Sequence, residues 1–213
     1  MAVIFSTFFK KLKGKIDHLI LYESRGQMRL RSSGNPMISP RSPEQQLQQK
    51  RLRAAVAFYR ANRNTRFVQI WRIAAQNKVM SGYNYFLHSN IAVFNEDHRI
   101  SDYSMLQISC GSLELPPCLK VADYWRGHLQ LTWQNSLPES SSHMYDRLYL
   151  FWLNERGSFS LQAPKLPIIL RKDEEATLSL PEAGEENMHL YFYFSNQQET
   201  CFSPAKYIYL KAL

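Results

Sequence analysis

The 213-residue sequence predicts an α+β protein. An N-terminal β-hairpin plus about three helices should precede an all-β sandwich of about seven strands. Three observations lead there. Apolar residues recur at helical spacing between residues 43 and 94. They alternate with a period of two in short runs between residues 119 and 210. Charge is divided as well: residues 1–80 hold 16 Lys+Arg against 3 Asp+Glu, and residues 81–213 hold 10 against 15. The net charges, +13 and −5, give the total of +8.

The hairpin is read from Lys15 to Ser33. Ile16 to Glu23 is apolar and β-prone, Ser24-Arg25-Gly26 supplies the turn, and Gln27 to Ser32 alternates strictly. Met28 and Leu30 then face one way, Arg29 and Arg31 the other. Residues 31–43, rich in Ser and Pro, read as an irregular connection.

Ser42-Pro43-Glu44-Gln45 is a helix start: an N-cap serine, proline at the first helical position, and Gln three residues after the cap. The first helix should run from Pro43 to about Asn62, with Leu47, Leu52, Ala55, Val56 and Tyr59 as its apolar stripe. A second helix is expected over Thr65–Asn77, on Phe67, Ile70, Trp71 and Ala74. A third is expected over Ser81–Phe94, on Tyr83, Phe86, Leu87, Asn90, Ile91 and Phe94. These aromatic stripes read as core. Tyr103 to Ser109 reads as a strand. Pro116-Pro117 suits neither helix nor ladder, which divides the chain into a basic domain, 1–112, and a β domain, 113–213.

Strand-like runs then follow at Leu119–Asp123, His128–Trp133, Arg147–Leu153, Ser158–Gln162, Ala176–Leu180, Leu190–Phe194 and Tyr207–Leu210. Arg147–Leu153 is apolar on both faces, as in a central strand. About seven strands in roughly 95 residues is the rhythm of an immunoglobulin-like sandwich.

Leu131-Thr132-Trp133 on an early strand, the loop Leu180 to Gly184, and the aromatic strand His189 to Tyr193 resemble a fibronectin type III or related immunoglobulin-like domain. That resemblance implies a spacer or binding module without catalysis. The whole chain also resembles an uncharacterised family of small basic bacterial proteins of the Bacteroidota. The carrying residues are Gly14-Lys15, Gly26, Arg29, Asn35-Pro36, Ser42-Pro43-Glu44-Gln45, Gln49, Arg51 and Ser109 to Leu113. It implies the hairpin, helix and immunoglobulin-like order and no established activity.

No nucleophile elbow, Walker, Rossmann or deaminase pattern occurs, and the six His form no metal-spaced pair. We expect a protein that is not an enzyme, with no cofactor and no metal. Glu96-Asp97-His98 and Asp173-Glu174-Glu175 read as solvated loops. The three cysteines, Cys110, Cys118 and Cys201, fit no zinc spacing and read as reduced thiols; a Cys118–Cys201 disulfide is the alternative if the β module is exported. The apolar run at the N-terminus precedes its positive charges, the reverse of a secretory signal. No stretch approaches the roughly 20 apolar residues of a membrane span. A cytoplasmic location is expected.

What remains is cation placement. Arg25, Arg29 and Arg31 of the hairpin, and Lys50, Arg51, Arg53, Arg60 and Arg63 of the first helix, are the candidate anion- or partner-binding residues. Lys50, Arg53, Arg60 and Arg63 recur at spacings of three, seven and three, which places them on one helix face. Such like charges repel by a few tenths of a kcal/mol per pair. The expected function is a binding or assembly protein: the basic region engages an acidic partner, and the sandwich mediates protein contact or self-association. The alternative is non-specific nucleic-acid binding. With five phosphate contacts, affinity would then fall about 500-fold between 50 and 200 mM salt.

Overall fold

The computed structural model describes residues 2–3, 13–24, 26–34, 42–125, 127–138, 140–155, 159–180 and 187–211. The Arg25 turn position, Lys10, Lys11, Asn35-Pro36 and the loop 181–184 lie outside them. The chain is mixed α+β and forms two compact units, Met1–Ser42 and Pro43–Leu213.

The first unit is an antiparallel sheet in the order β1-β4-β3-β2, built from β1 (Ala2–Val3), β2 (Gly14–Ile16), β3 (Leu19–Ser24) and β4 (Gln27–Ser32). The expected hairpin is β3–β4, where Ser24 pairs with Gln27 and Gly26 takes φ +71°. The strand expected from Ile16 onward is two strands. Ile16 pairs with Leu19 across a turn in which Asp17 takes φ +51°. Asp tolerates the left-handed region better than most residues, so the apolar run is broken where composition alone extends it.

In the second unit, α1 (Pro43–Ala61) begins at the expected proline. Its buried stripe is Ala54, Ala55 and Phe58, while Leu52 is 39% exposed. The stripe is rotated from the expected one because Phe58 is the large anchor, and two alanines beside it allow close approach. Helix α2 (Arg66–Ala74) is capped by Thr65, whose hydroxyl accepts from Phe67 N at 3.3 Å. Helix α3 (Gly82–Asn90) is capped by Ser81 and continues into a 3-10 turn, Ile91–Val93. A Cβ on Gly82 would sit 2.7 Å from the Trp71 backbone, so glycine lets α3 close onto α2. Phe58, Phe67, Trp71, Phe86 and Phe94 are buried with ring centroids 5.2–6.4 Å apart, as the aromatic stripes predict for a core.

Tyr103–Ser109 is not a strand. It is a 3-10 turn, Tyr103–Met105, and then an irregular segment. Leu106 and Ile108 are buried, but side chains rather than a ladder hold the backbone. Asn90 Oδ1 accepts from Gln107 N at 2.8 Å, and Ser109 Oγ donates to Ser203 O at 2.6 Å.

Two three-stranded antiparallel sheets follow. One has the order β5-β6-β8, from β5 (Lys120–Trp125), β6 (His128–Thr132) and β8 (Glu175–Ser179). The other has the order β10-β9-β7, from β7 (Arg147–Asn154), β9 (Met188–Ser195) and β10 (Lys206–Leu210). The central strand is β9, while β7, expected to be central, ends its sheet. Of the segment expected as a strand at Ser158–Gln162, Ser158 lies outside the described residues, and residues 159–162 contribute the bridge Trp152 to Gln162.

All eight residues of β9 are buried. Leu190, Phe192 and Phe194 share a core with Leu148, Leu150, Leu129, Leu131 and Leu178 of both sheets. Tyr191 and Tyr193 share the other core with Phe151, Leu153 and the helical residues Phe58, Phe67 and Trp71. Helices and sheets are therefore one compact unit. Its boundary with the first unit lies at Ser42/Pro43, and the 112–118 connection lies inside it. Leu113 N is tied to Phe202 O at 3.1 Å within that connection.

Asn62, fully buried, is the tightest polar link between helix and β segment. Its Nδ2 donates to Phe58 O at 2.8 Å and Phe159 O at 2.7 Å, and its Oδ1 accepts from Leu161 N at 2.7 Å. Asn62→Ala leaves Phe159 O and Leu161 N without their partner, while Phe58 O keeps its backbone bond from residue 62, and should cost roughly 2–4 kcal/mol of unfolding free energy. Urea unfolding followed by circular dichroism and tryptophan fluorescence measures that loss. The two signals of Pro43–Leu213 should coincide, because β9 is shared by the core under the helices and the core between the sheets.

Candidate anion-binding surfaces

In the first unit the register gathers cations on one face of the sheet. Lys15 pairs with Ile20 and Ile20 with Arg31, while Tyr22 pairs with Arg29. Residues two apart share a face, so Lys15, Arg29 and Arg31 surround Ile20 and Tyr22. Arg31 lies 6.0 Å from the Tyr22 ring centroid, a cation–π distance. Leu21 and Met28 are buried on the opposite face. Lys13 pairs with Glu23 at 2.7 Å and adds little net charge.

On α1, advancing 100° per residue places Arg53 and Arg60 on the side away from Phe58, about 140° and 160° round the helix, and Lys50 on the flank, about 80° round. Arg63 lies in the turn beyond Ala61. All four are exposed. Lys50 is 3.4 Å from the Glu96 carboxylate, with both side chains 53% exposed, so the pair is worth little. No carboxylate pairs with Arg53, Arg60 or Arg63 among the described residues. Arg51 does not join them. The same geometry puts it on the core side, half-buried, and its Nε is buried without a hydrogen-bond acceptor among the described residues.

The structure also assembles cations that sequence reasoning missed. Arg66, Arg147 and Lys165 line a groove of about 520 Å³ beside β7. Arg66 stacks 4.5 Å from the Tyr149 ring centroid and pairs with Glu199 at 3.0 Å. The Tyr149 hydroxyl donates to the same carboxylate at 2.9 Å. Burial, then this contact with Glu199, pushes the Tyr149 phenol up. The usable signal was Pro164-Lys165-Leu166-Pro167, where two prolines interrupt a β region.

Other polar groups are structural. Arg171 and Asp146 are buried 4.0 Å apart, and Arg171 donates to Glu114 O at 2.8 Å. Burial pushes the Asp146 carboxyl up, opposed by His143 and then by Arg171. Cys110, Cys118 and Cys201 are free thiols. Tyr85 meets Cys110 Sγ at 3.4 Å, and that hydrogen bond, ahead of burial, pushes its phenol up to about 12. Among the described residues no group of three His, Cys, Asp or Glu is placed to hold a metal, and no helix is long and apolar enough to cross a membrane. No protein-family model and no curated protein matches the chain.

His189 is the buried titratable group with the clearest consequence. Its ring lies parallel to Tyr103 at 3.6 Å, its Nδ1 is 2.8 Å from the Tyr207 hydroxyl, and its Nε2 is 3.5 Å from Glu155. Burial pushes the imidazole below its ordinary value, against the opposing pull of Glu155. The fold thus favours neutral His189, while the unfolded chain protonates near pH 6.5. Stability from this group is present at pH 7.5 and lost as pH falls through and below 6.5. The melting temperature should drop between pH 7.5 and 5.5, and His189→Gln should flatten that drop; thermal denaturation of the two proteins across this range checks it.

Proposed function

We propose that this is a non-enzymatic binding or assembly protein: its β module mediates protein contacts and its basic surface engages an acidic partner. The strand order supports an immunoglobulin-like reading of the β module. The sets β5-β6-β8 and β7-β9-β10 correspond in sequence order to the A-B-E and C-F-G strands of that fold. Kinship with the small basic Bacteroidota proteins is part of the same proposal and concerns architecture alone.

The observation that carries the partner reading is the outer face of α1. Arg53, Arg60 and Arg63 stand exposed without a carboxylate partner among the described residues, and Lys50 is held only by the exposed Glu96 pair. Their mutual repulsion is relieved when an anionic surface replaces water and counterions. The Lys15, Arg29, Arg31 and Tyr22 face of the first unit is a second cationic surface of the same chemistry.

The test is fluorescence anisotropy of a ten-residue polyglutamate peptide and of a short DNA duplex at 50 mM salt. The peptide should bind saturably, and the quadruple variant Lys50→Gln, Arg53→Gln, Arg60→Gln, Arg63→Gln should lose most of that binding. DNA held by these four cations, with affinity falling about 150-fold by 200 mM salt, and no peptide binding, would reassign the protein to nucleic-acid contact. Failure of both probes overturns the basic-surface reading.

A further inference from the structure

The groove beside β7 originates in strand pairing. Gln162 and Leu170 bridge to β7 at Trp152 and Arg147. Between these bridges, residues 163–169 must span the shorter stretch 148–151 of β7, so the segment bows outward. Pro164 and Pro167 carry no amide hydrogen and cannot extend the ladder.

The consequence falls on Leu150. Leu148 N donates to Ile169 O at 2.9 Å and Trp152 N to Gln162 O at 3.0 Å, so both amides point away from β9. Antiparallel alternation turns the amide and carbonyl of Leu150 the same way, into the groove. Among the described residues, no backbone hydrogen bond joins Leu150 to the bowed segment.

The lining has two chemical halves. Leu166 and Ile168 form an apolar wall, and Ile168 is 71% exposed, unusual for an isoleucine on a folded surface. Arg66, Arg147 and Lys165 supply three cations. The adjoining carboxylate, Glu199, is already engaged by Arg66 and Tyr149. Arg147, whose side chain also meets the Tyr149 phenol, has its Nε buried without an acceptor among the described residues.

We propose that this groove binds a small amphipathic carboxylate. The carboxylate meets Arg147 and the Leu150 amide, and its hydrocarbon chain lies along Leu166 and Ile168. The volume of about 520 Å³ falls within the usual range of small-molecule sites. An opening of one ladder position is too short for an added peptide strand, which favours the small molecule. This goes beyond the acidic-partner reading, since none of the α1 cations lines the groove.

Octanoate is the probe, titrated calorimetrically into the full chain, with 1-octanol and octylamine as neutral and cationic controls. Octanoate should bind saturably at one site, and neither control should. Arg147→Gln should weaken octanoate about tenfold, the effect of one charge-assisted hydrogen bond. Ile168→Glu, at an exposed position, should abolish binding with an unchanged melting temperature. The α1 quadruple variant should bind octanoate like the wild type, which separates this result from that of the acidic-partner test. No saturable octanoate binding, equal binding of either control, or unchanged affinity in Arg147→Gln or Ile168→Glu would overturn the proposal.

Discussion

The eight residues of β9 have no solvent face, and the rest of Pro43–Leu213 is arranged around that constraint. A strand buried on both sides needs two covers. One comes from the β5-β6-β8 sheet through Leu129, Leu131 and Leu178. The other comes from the helices through Phe58, Phe67 and Trp71. Antiparallel sheets usually leave one face to water and alternate accordingly. Here Met188 to Ser195 carries large side chains at nearly every position, so water on either side would expose aromatic surface. Neither the helices nor the second sheet is dispensable to that strand.

The same constraint explains where charge goes. With Phe58 committed to the Tyr191 and Tyr193 side of the core, the far side of α1 falls to Arg53 and Arg60, and Lys50 stands on its flank. Arg51 shows the reverse. It lies on the core side, half-buried, with its Nε out of contact with water. The count of basic residues in α1 therefore overstates its anionic contact surface by one.

A second consequence arises where the sheet ends. Sheet edges need management, and β7 is covered by a bridging segment rather than a full strand. Prolines make that cover incomplete. The opening is bounded by Arg147 on the strand, Lys165 on the cover and Arg66 on α2, three elements distant in sequence. Nothing in the local sequence of any one of them announces the other two.

Much of the local structure was legible. Ser42-Pro43 marks the start of α1 because proline at the first helical turn loses no hydrogen bond. The alternation at His128–Thr132 and Glu175–Ser179 marks strands with one apolar face. Arg29 and Arg31 were placed on a common face because the period of a strand is two. Readings failed where a side chain or a turn overrides local pattern. Asp17 bends the run Ile16–Glu23, and Asn90 and Ser109 replace a ladder along residues 106–109. Pro116-Pro117 interrupts secondary structure, but it does not interrupt a core whose partners are far apart in the chain.

By itself the sequence determined the three helices and most of the strands, because spacing and caps act within a few residues. Only the tertiary structure decided that the helices close over β9, that Arg51 turns inward, and that Arg66, Arg147 and Lys165 meet. Those outcomes depend on contacts between residues as far apart as Asn62 and Leu161, and no local period encodes such pairings.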